Sequence, residues 1–346
     1  MHSRASKRIA QVLALLAAGC VAAGVAVAQG ALPREAASSQ LTAPAAPADP
    51  PIDLCATTGT VTLPGSVVVQ IWGFVQKGTQ ADCSDVAGTA TLPGPVLHVN
   101  EGDTVTLSVT NALPAGHDIS VEVPGLDFLA GPTDAAVGAT VSRTFTATAP
   151  GTYLYESVGD EERQTAMGLY GALIVDAGTA GQAYDTAVSA YDVQAPLVLS
   201  AIDPAFNAAA NPNDFDMTKY KAQYWLINGK AYSQSDPSHS TDPIHAAPGQ
   251  KLLLRYINAG FDNTTMTLLG MDEHVIARDA HLLPNAFDAT SETLPAGGTE
   301  DVVATVPAAP TGMTNGFPLF NRQLHVTNGS PTDAGAPGGM LTFVAP

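Results

Sequence analysis

The chain has 346 residues, 45% apolar and 13% charged, with 32 acidic side chains against 14 basic ones and a formal charge of −18. That length suits two domains of about 100–200 residues, and the apolar share excludes wholesale disorder. A chain this acidic is repelled by phosphate backbones and anionic lipid surfaces, so nucleic acid is excluded as a partner and solubility is the simplest meaning of the charge.

The amino terminus sets the expected compartment. Residues 1–8 carry Arg4, Lys7 and Arg8 without an acid, and Ile9 to Ala28 form an apolar run broken only by Gln11. Ala26-Val27-Ala28 then supplies the small residues that signal peptidase accepts. The expectation is a signal peptide over residues 1–28, export to the periplasm or the exterior, and no integral membrane segment after cleavage. Two rivals stand beside it. Leu16-Ala17-Ala18-Gly19-Cys20 approximates a lipoprotein box, with Ala17 in the place usually held by Leu. An uncleaved anchor is the other, since about 20 apolar residues can just span a bilayer. Residues 29–54, rich in Ala and Pro, read as a linker. After cleavage only Cys55 and Cys83 remain, an even pair in an oxidising compartment, which predicts a disulfide. The alternative is two buried thiols; no His beside them has metal-ligand spacing.

From residue 55 onward the pattern is β with frequent turns. Thr104–Val109 alternates strictly, with Val105, Leu107 and Val109 on one face and Thr104, Thr106 and Ser108 on the other, the signature of a half-buried strand. Asn100-Glu101-Gly102-Asp103 is the turn before it. Thr140–Thr148 reads as a further strand. The stretch 203–222 reads as an irregular excursion with one helical turn. Asn228-Gly229 separates Tyr224–Ile227 from Lys230–Tyr232 and predicts a hairpin. Glu300–Val306 is the last strand of this kind.

An internal repeat organises these strands. Residues 99–112, VNEGDTVTLSVTNA, align with 246–259, AAPGQKLLLRYINA, superposing Gly102 on Gly249, Leu107 on Leu254, Asn111 on Asn258 and Ala112 on Ala259. Each copy closes with a Gly-led β run, 168–175 and 338–344. Two copies of one β unit imply two sandwiches of similar build, divided near 177–195. Val105, Leu107 and Val109 are predicted core residues of the first, and Leu252, Leu254 and Tyr256 of the second.

The segments LPGPVLHVNEGDTVTLSVTNALP (92–114) and APGTYLYESVGDEERQTAMGLYGALIV (149–175) resemble the first cupredoxin domain of multicopper oxidases. YWLINGKAY (224–232), APGQKLLLRYINAG (247–260) and HVIARDAHLLP (274–284) resemble the second. The resemblance implies an all-β fold of two cupredoxin-like Greek-key β-sandwich domains, 55–177 and 190–346, and by ancestry a copper-dependent oxidase. It also implies where copper ligands belong. Family members place an H-x-H-G element in the first domain and a second H-x-H after the Tyr of the APGTYLY-like strand, because imidazole suits copper. The matching positions here are Glu122 and Pro124, then Glu156 and Val158. The family's electron-entry copper also needs a late Cys, and the last Cys here is Cys83. The third domain that normally supplies it has no counterpart in the sequence. No cofactor is therefore predicted; copper enters by resemblance only, and the residues point away from copper-oxidase activity.

Other chemistry stays open at this level. Glu122 and Glu156, with Asp160, Glu161 and Glu162, can hold a hard cation such as Ca²⁺ or Mn²⁺, or can be relics of lost ligands. With His2 and His239 set aside, His98, His117, His245, His274, His281 and His325 lack H-x-H or H-x3-H spacing and read as solvent or rim positions. A site built from His274, His281 and His325 is the alternative. Met271, Met313 and Met340 are soft donors or core fillers. Arg322 is expected to pair at the surface or across the domain junction. Hydrolase, P-loop, zincin and dinucleotide signatures are absent. Three functions follow: a copper-free extracytoplasmic binding or structural module whose partner is another protein, a metal-dependent oxidoreductase with a rebuilt or partner-completed site, and copper handling.

Overall fold

Alternation of apolar and hydroxyl side chains builds the first sandwich. A computed structural model describes residues 51–129, 131–309, 315–329 and 336–345. The expected signal peptide, residues 29–50 of the expected linker, and Met313 lie outside these residues. The strands are β1 (Ile52–Leu63), β2 (Val67–Gln76), β3 (Leu97–Asn100), β4 (Thr104–Asn111), β5 (Ile119–Glu122), β6 (Asp134–Ala135), β7 (Thr140–Thr146), β8 (Gly151–Ser157) and β9 (Tyr170–Asp176). They form one sheet ordered β2-β1-β4-β7 and a second ordered β3-β9-β8-β5-β6. The expected linker ends earlier than residue 54: Ile52–Leu54 already pairs in parallel with Leu107–Val109, because Leu54 has an apolar core to enter. Val105, Leu107 and Val109 are each 1% exposed. On the opposite face of β4, the hydroxyls of Thr104, Thr106, Ser108 and Thr110 pair across to Thr146, Thr144, Ser142 and Thr140 at 2.8–3.4 Å. Cys55 and Cys83 form the expected disulfide, with Cα atoms 6.0 Å apart.

The second sandwich repeats the plan. Its strands are β10 (Val193–Ile202), β11 (Tyr224–Ile227), β12 (Tyr232–Ser233), β13 (Ile244–His245), β14 (Lys251–Asn258), β15 (Thr264–Leu268), β16 (Glu273–Arg278), β17 (His281–Ala289), β18 (Glu292–Leu294), β19 (Thr299–Thr305), β20 (Phe317–Asn321), β21 (Gly338–Gly339) and β22 (Leu341–Ala345). One sheet runs β11-β10-β14-β19-β16-β17, the other β13-β22-β20-β15-β18, and β12 pairs with β21. The repeat is structural. Strand β10 lies parallel to β14 as β1 lies parallel to β4, and β13 parallel to β22 as β3 to β9. The aligned Asn111 and Asn258 do the same work. Each uses its side-chain oxygen to accept the N–H two residues on, from Leu113 and Gly260, and its amide to hold carbonyls of neighbouring loops.

Two local expectations resolve differently. Asn228 and Gly229 form the tight turn, both with positive φ (51° and 76°), and Ile227 and Lys230 exchange backbone hydrogen bonds across it. The second arm then leaves: Tyr232 pairs with Gly339 rather than with β11. The turn is instead packed against the first sandwich, where a Cβ on Gly229 would lie 1.9 Å from the Leu92 carbonyl oxygen. The excursion at 203–222 carries one short helix, α1 (Pro204–Asn207), as expected, plus two 3-10 turns.

The two sandwiches belong to one compact unit, and their junction explains why β14 is buried on both faces. Leu252, Leu254 and Tyr256 face the core of the second sandwich, while Leu253, Arg255 and Ile257 on the other face are also 0–1% exposed. Ile257 joins Leu154, Tyr170, Ala172 and Val198 in an apolar cluster shared by the two sandwiches. Beside it Arg255, 1% exposed, pairs with Asp301 at 3.5 Å. Arg255 Nη1 donates to Thr152 Oγ1 (2.9 Å), which donates to Asp301 Oδ1 (2.6 Å). Arg255 Nε donates to Gln194, and Tyr184 in the connecting segment donates to Asp301 Oδ2. At Gly151 (φ 147°) a Cβ would stand 2.7 Å from that of Ala280, so the backbones meet here too. Arg322, by contrast, is exposed and has no ion-pair partner among the described residues; the cross-junction cation is Arg255. Among the described residues, no helix is long and apolar enough to cross a membrane.

Two predictions follow from the buried charges. Arg255→Met leaves Asp301 buried without its cation and is expected to lower stability by about 3–5 kcal/mol, read as a fall in the urea midpoint. Glu273 is 2% exposed and accepts hydrogen bonds from Tyr256 and Leu268 N–H; burial pushes its pKa up to about 7. The folded chain therefore holds this proton more tightly than the unfolded chain does. The stability it contributes is full below the unfolded carboxylate range and is lost as pH rises through 7, a loss of up to about 3 kcal/mol. Unfolding at pH 5 and pH 8 should show the protein weaker at pH 8, and Glu273→Gln should flatten that difference.

Candidate functional site

Strands β5 and β8 lie side by side at the end of the first sandwich and place Glu122 directly opposite Glu156. The two carboxylates meet different surroundings. Glu122 faces Arg143 on β7, whose Nη2 lies 3.6 Å from its Oε1. Arg143 is itself held over the Phe128 ring, 4.4 Å from the centroid, and donates to the Pro132 carbonyl. The first position that the sequence resemblance assigns to a copper ligand thus holds a carboxylate engaged in an internal ion pair. Glu156 has no ion-pair partner among the described residues. It accepts a hydrogen bond from Thr165 Oγ1 at 3.3 Å, and that hydroxyl sits closer to the Ser157 carbonyl at 2.9 Å. Burial raises its pKa, and the charges of Glu162 and Glu122 raise it further against the Thr165 bond.

Of the other three acids, only Glu162 approaches this pair. Asp160, Glu161 and Glu162 are successive left-handed residues (φ 54°, 55° and 66°) leading into the short helix Arg163–Met167, a costly backbone for side chains bearing a Cβ. Asp160 turns inward. It bonds His117 Nδ1 at 2.7 Å and accepts from Gln164 (2.9 Å) and Asn213 (3.0 Å). Burial works to raise its pKa, but the bonds from Gln164, Asn213 and His117 outweigh it and hold the carboxyl below the ordinary range. Glu161 points outward to Arg163 at 2.7 Å. Glu162 joins Glu156 in one cavity, Pro124 lines a second, and Val158 only continues the ladder through its N–H to Ser120.

The histidines correct one expectation and disperse another. His117 is not a rim residue. It is 5% exposed, edge-on to Trp72 with ring centroids 4.7 Å apart. Its partner Asp160 lies 43 residues away, so nothing in the local pattern marks it. His274 pairs with Asp288, His281 with the Asp279 carbonyl, and His325 stacks on Trp225 at 4.3 Å. Each has its own partner, and they build no common site. His98 pairs with Asp176 at the surface, and His245 sits exposed on β13. Met271 and Met340 are core side chains of the second sandwich.

A family model described as multicopper oxidase matches residues 75–180. The matched segment spans most of the first sandwich, including Glu122, Pro124, Glu156 and Val158. An L-ascorbate oxidase from Brassica rapa subsp. pekinensis is 34% identical over 117 residues, 30% of this chain and 20% of that protein. Copper resistance protein A from Escherichia coli is 41% identical over 100 residues, 25% of this chain and 15% of that protein. The matches take in only a fifth or less of these relatives' length. Among solved structures, the fold resembles a multicopper oxidase named mgLAC (TM-score 0.68, 22% identity, 84% of each chain). It also resembles a copper nitrite reductase from Nitrosomonas europaea (TM-score 0.62, 21% identity, 85% of this chain and 93% of that one). These likenesses establish the two-domain cupredoxin fold.

Copper does not fit the four positions that the sequence resemblance assigns to its ligands. Pro124 and Val158 have no donor atom, Glu122 is committed to Arg143, and the cysteines following residue 50 are joined in the disulfide. Among the described residues, no group of three or more His, Cys, Asp or Glu side chains is arranged to hold a metal ion. Arg143→Met removes both the ion pair and the contact with Phe128, and is expected to cost about 1–2 kcal/mol. The urea midpoint measures that loss; an unchanged midpoint would mean the pair is ornamental.

Proposed function

We propose that this protein is a copper-free binding module of the extracytoplasmic space, built on the framework of a multicopper oxidase domain, with another protein as its partner. The observation that carries this reading is the Arg143–Glu122 pair. A guanidinium, itself positively charged, now stands beside the first ligand position, where it opposes any metal cation by charge as well as by occupancy. Pro124 and Val158 support the same reading, since neither side chain can coordinate. The Cys55–Cys83 bridge supports an oxidising compartment, in keeping with the basic and then apolar amino terminus.

The test is metal loading. The purified chain is incubated with Cu(II) under reducing and then oxidising conditions, desalted and assayed for copper, visible absorption and oxidation of a phenolic reductant. The expected outcome is copper far below one per chain, no intense thiolate-to-copper band and no oxidase turnover. Stoichiometric copper with oxygen-dependent turnover would overturn the reading in favour of an oxidoreductase whose ligands are recruited from elsewhere in the chain.

A further inference from the structure

A cavity of about 200 Å³ opens where β8 meets the second sandwich. Its charged wall is Glu156 and Glu162, and its other walls include Leu154, Ala259 and Phe261. We propose that this cavity binds a small organic cation, an ammonium group carried on a short hydrocarbon chain. The site goes beyond the binding role above and does not depend on which protein the module meets.

Three observations converge on that ligand class. The first is unneutralised charge along a cavity wall, with Glu156 half-buried and Glu162 exposed. Glu122 has Arg143 and Glu161 has Arg163, whereas neither Glu156 nor Glu162 has an ion-pair partner among the described residues. The Thr165 hydroxyl is shared with the Ser157 carbonyl, so most of the acceptor capacity of Glu156 stays free. The second is the apolar lining. Leu154 and Ala259 are 2% and 7% exposed, and Phe261, 39% exposed, adds an aromatic side chain of the kind that stabilises an ammonium. The third is size against donor count. A bare Ca²⁺ ion takes about six to eight oxygen ligands, and no group of three or more metal-binding side chains meets here. A volume of 200 Å³ with two carboxylates instead fits a chain of a few methylenes with a charged end. The chain's formal charge of −18 adds long-range attraction for a cation.

The experiment titrates 1,4-diaminobutane into the full chain by calorimetry, with 1,4-butanediol as the uncharged analogue and CaCl2 and MnCl2 in separate runs. Diamine binding is expected without diol binding. Glu156→Gln and Glu162→Gln should each weaken it by about tenfold or more, while Glu161→Gln leaves it unchanged. Affinity of the wild type should also fall as the solution is acidified from pH 7.5, because burial raises the pKa of Glu156 and a protonated carboxyl no longer attracts the ammonium; this readout needs no variant to fold. Four results would overturn the proposal: no diamine binding at millimolar concentration, equal binding of the diol, affinity indifferent to both Gln variants and to pH, or tight Ca²⁺ or Mn²⁺ binding lost in the same variants. The last would make the cavity a metal site.

Discussion

Arg255 and Asp301 are the charges around which the two sandwiches are locked. Both are 1% exposed, and taking such groups out of water costs several kcal/mol per ion unless every polar atom finds a partner. Here the partners come from three parts of the chain: Thr152 from the first sandwich, Gln194 from the first strand of the second, and Tyr184 from the segment between them. Slippage at the junction would strand one of those charges. The apolar cluster of Leu154, Tyr170, Val198 and Ile257 supplies attraction, but apolar contact alone tolerates sliding, and the ion pair does not.

That lock also positions the candidate site. Thr152 lies on β8, four residues before Glu156 on the same strand. One end of the strand is tied to Asp301 and the other presents Glu156 to the cavity beneath the second sandwich. The geometry around Glu156 is therefore a product of both sandwiches, although the multicopper oxidase match ends at residue 180. Around that strand Arg143 pairs with Glu122 and Asp160 with His117, while Glu156 and Glu162 border open space.

The duplicated strands β4 and β14 show how one framework serves two environments. Their inward residues and closing Asn are equivalent. Their outward faces differ completely: β4 shows solvent a row of hydroxyls that pair with those of β7, while β14 shows the first sandwich Leu253, Arg255 and Ile257. The sheet stays intact in both because ladder hydrogen bonds involve only the backbone. The outward side chains are free to record what each strand faces.

Much of this was legible in the residues. Strict alternation at Thr104–Val109 marks one buried face, the offset repeat marks two sandwiches, and the even cysteine pair marks the bridge, because each rests on a local period or a count. The unbroken apolar run through Leu252–Leu254 also hints that β14 is buried twice. Which residues stand at the four positions the resemblance assigns to ligands is likewise a matter of sequence alone. What the sequence could not decide is which polar groups meet. Asn228-Gly229 specified a tight turn correctly, yet the strand after it went to Gly339, since a turn fixes two residues and not the partner of the next strand. His117 and Asp160, Arg143 and Glu122, and Arg255 and Asp301 are separated by tens of residues and join only when the sheets pack. Burial then decides how much each pairing matters, and burial is a property of tertiary structure.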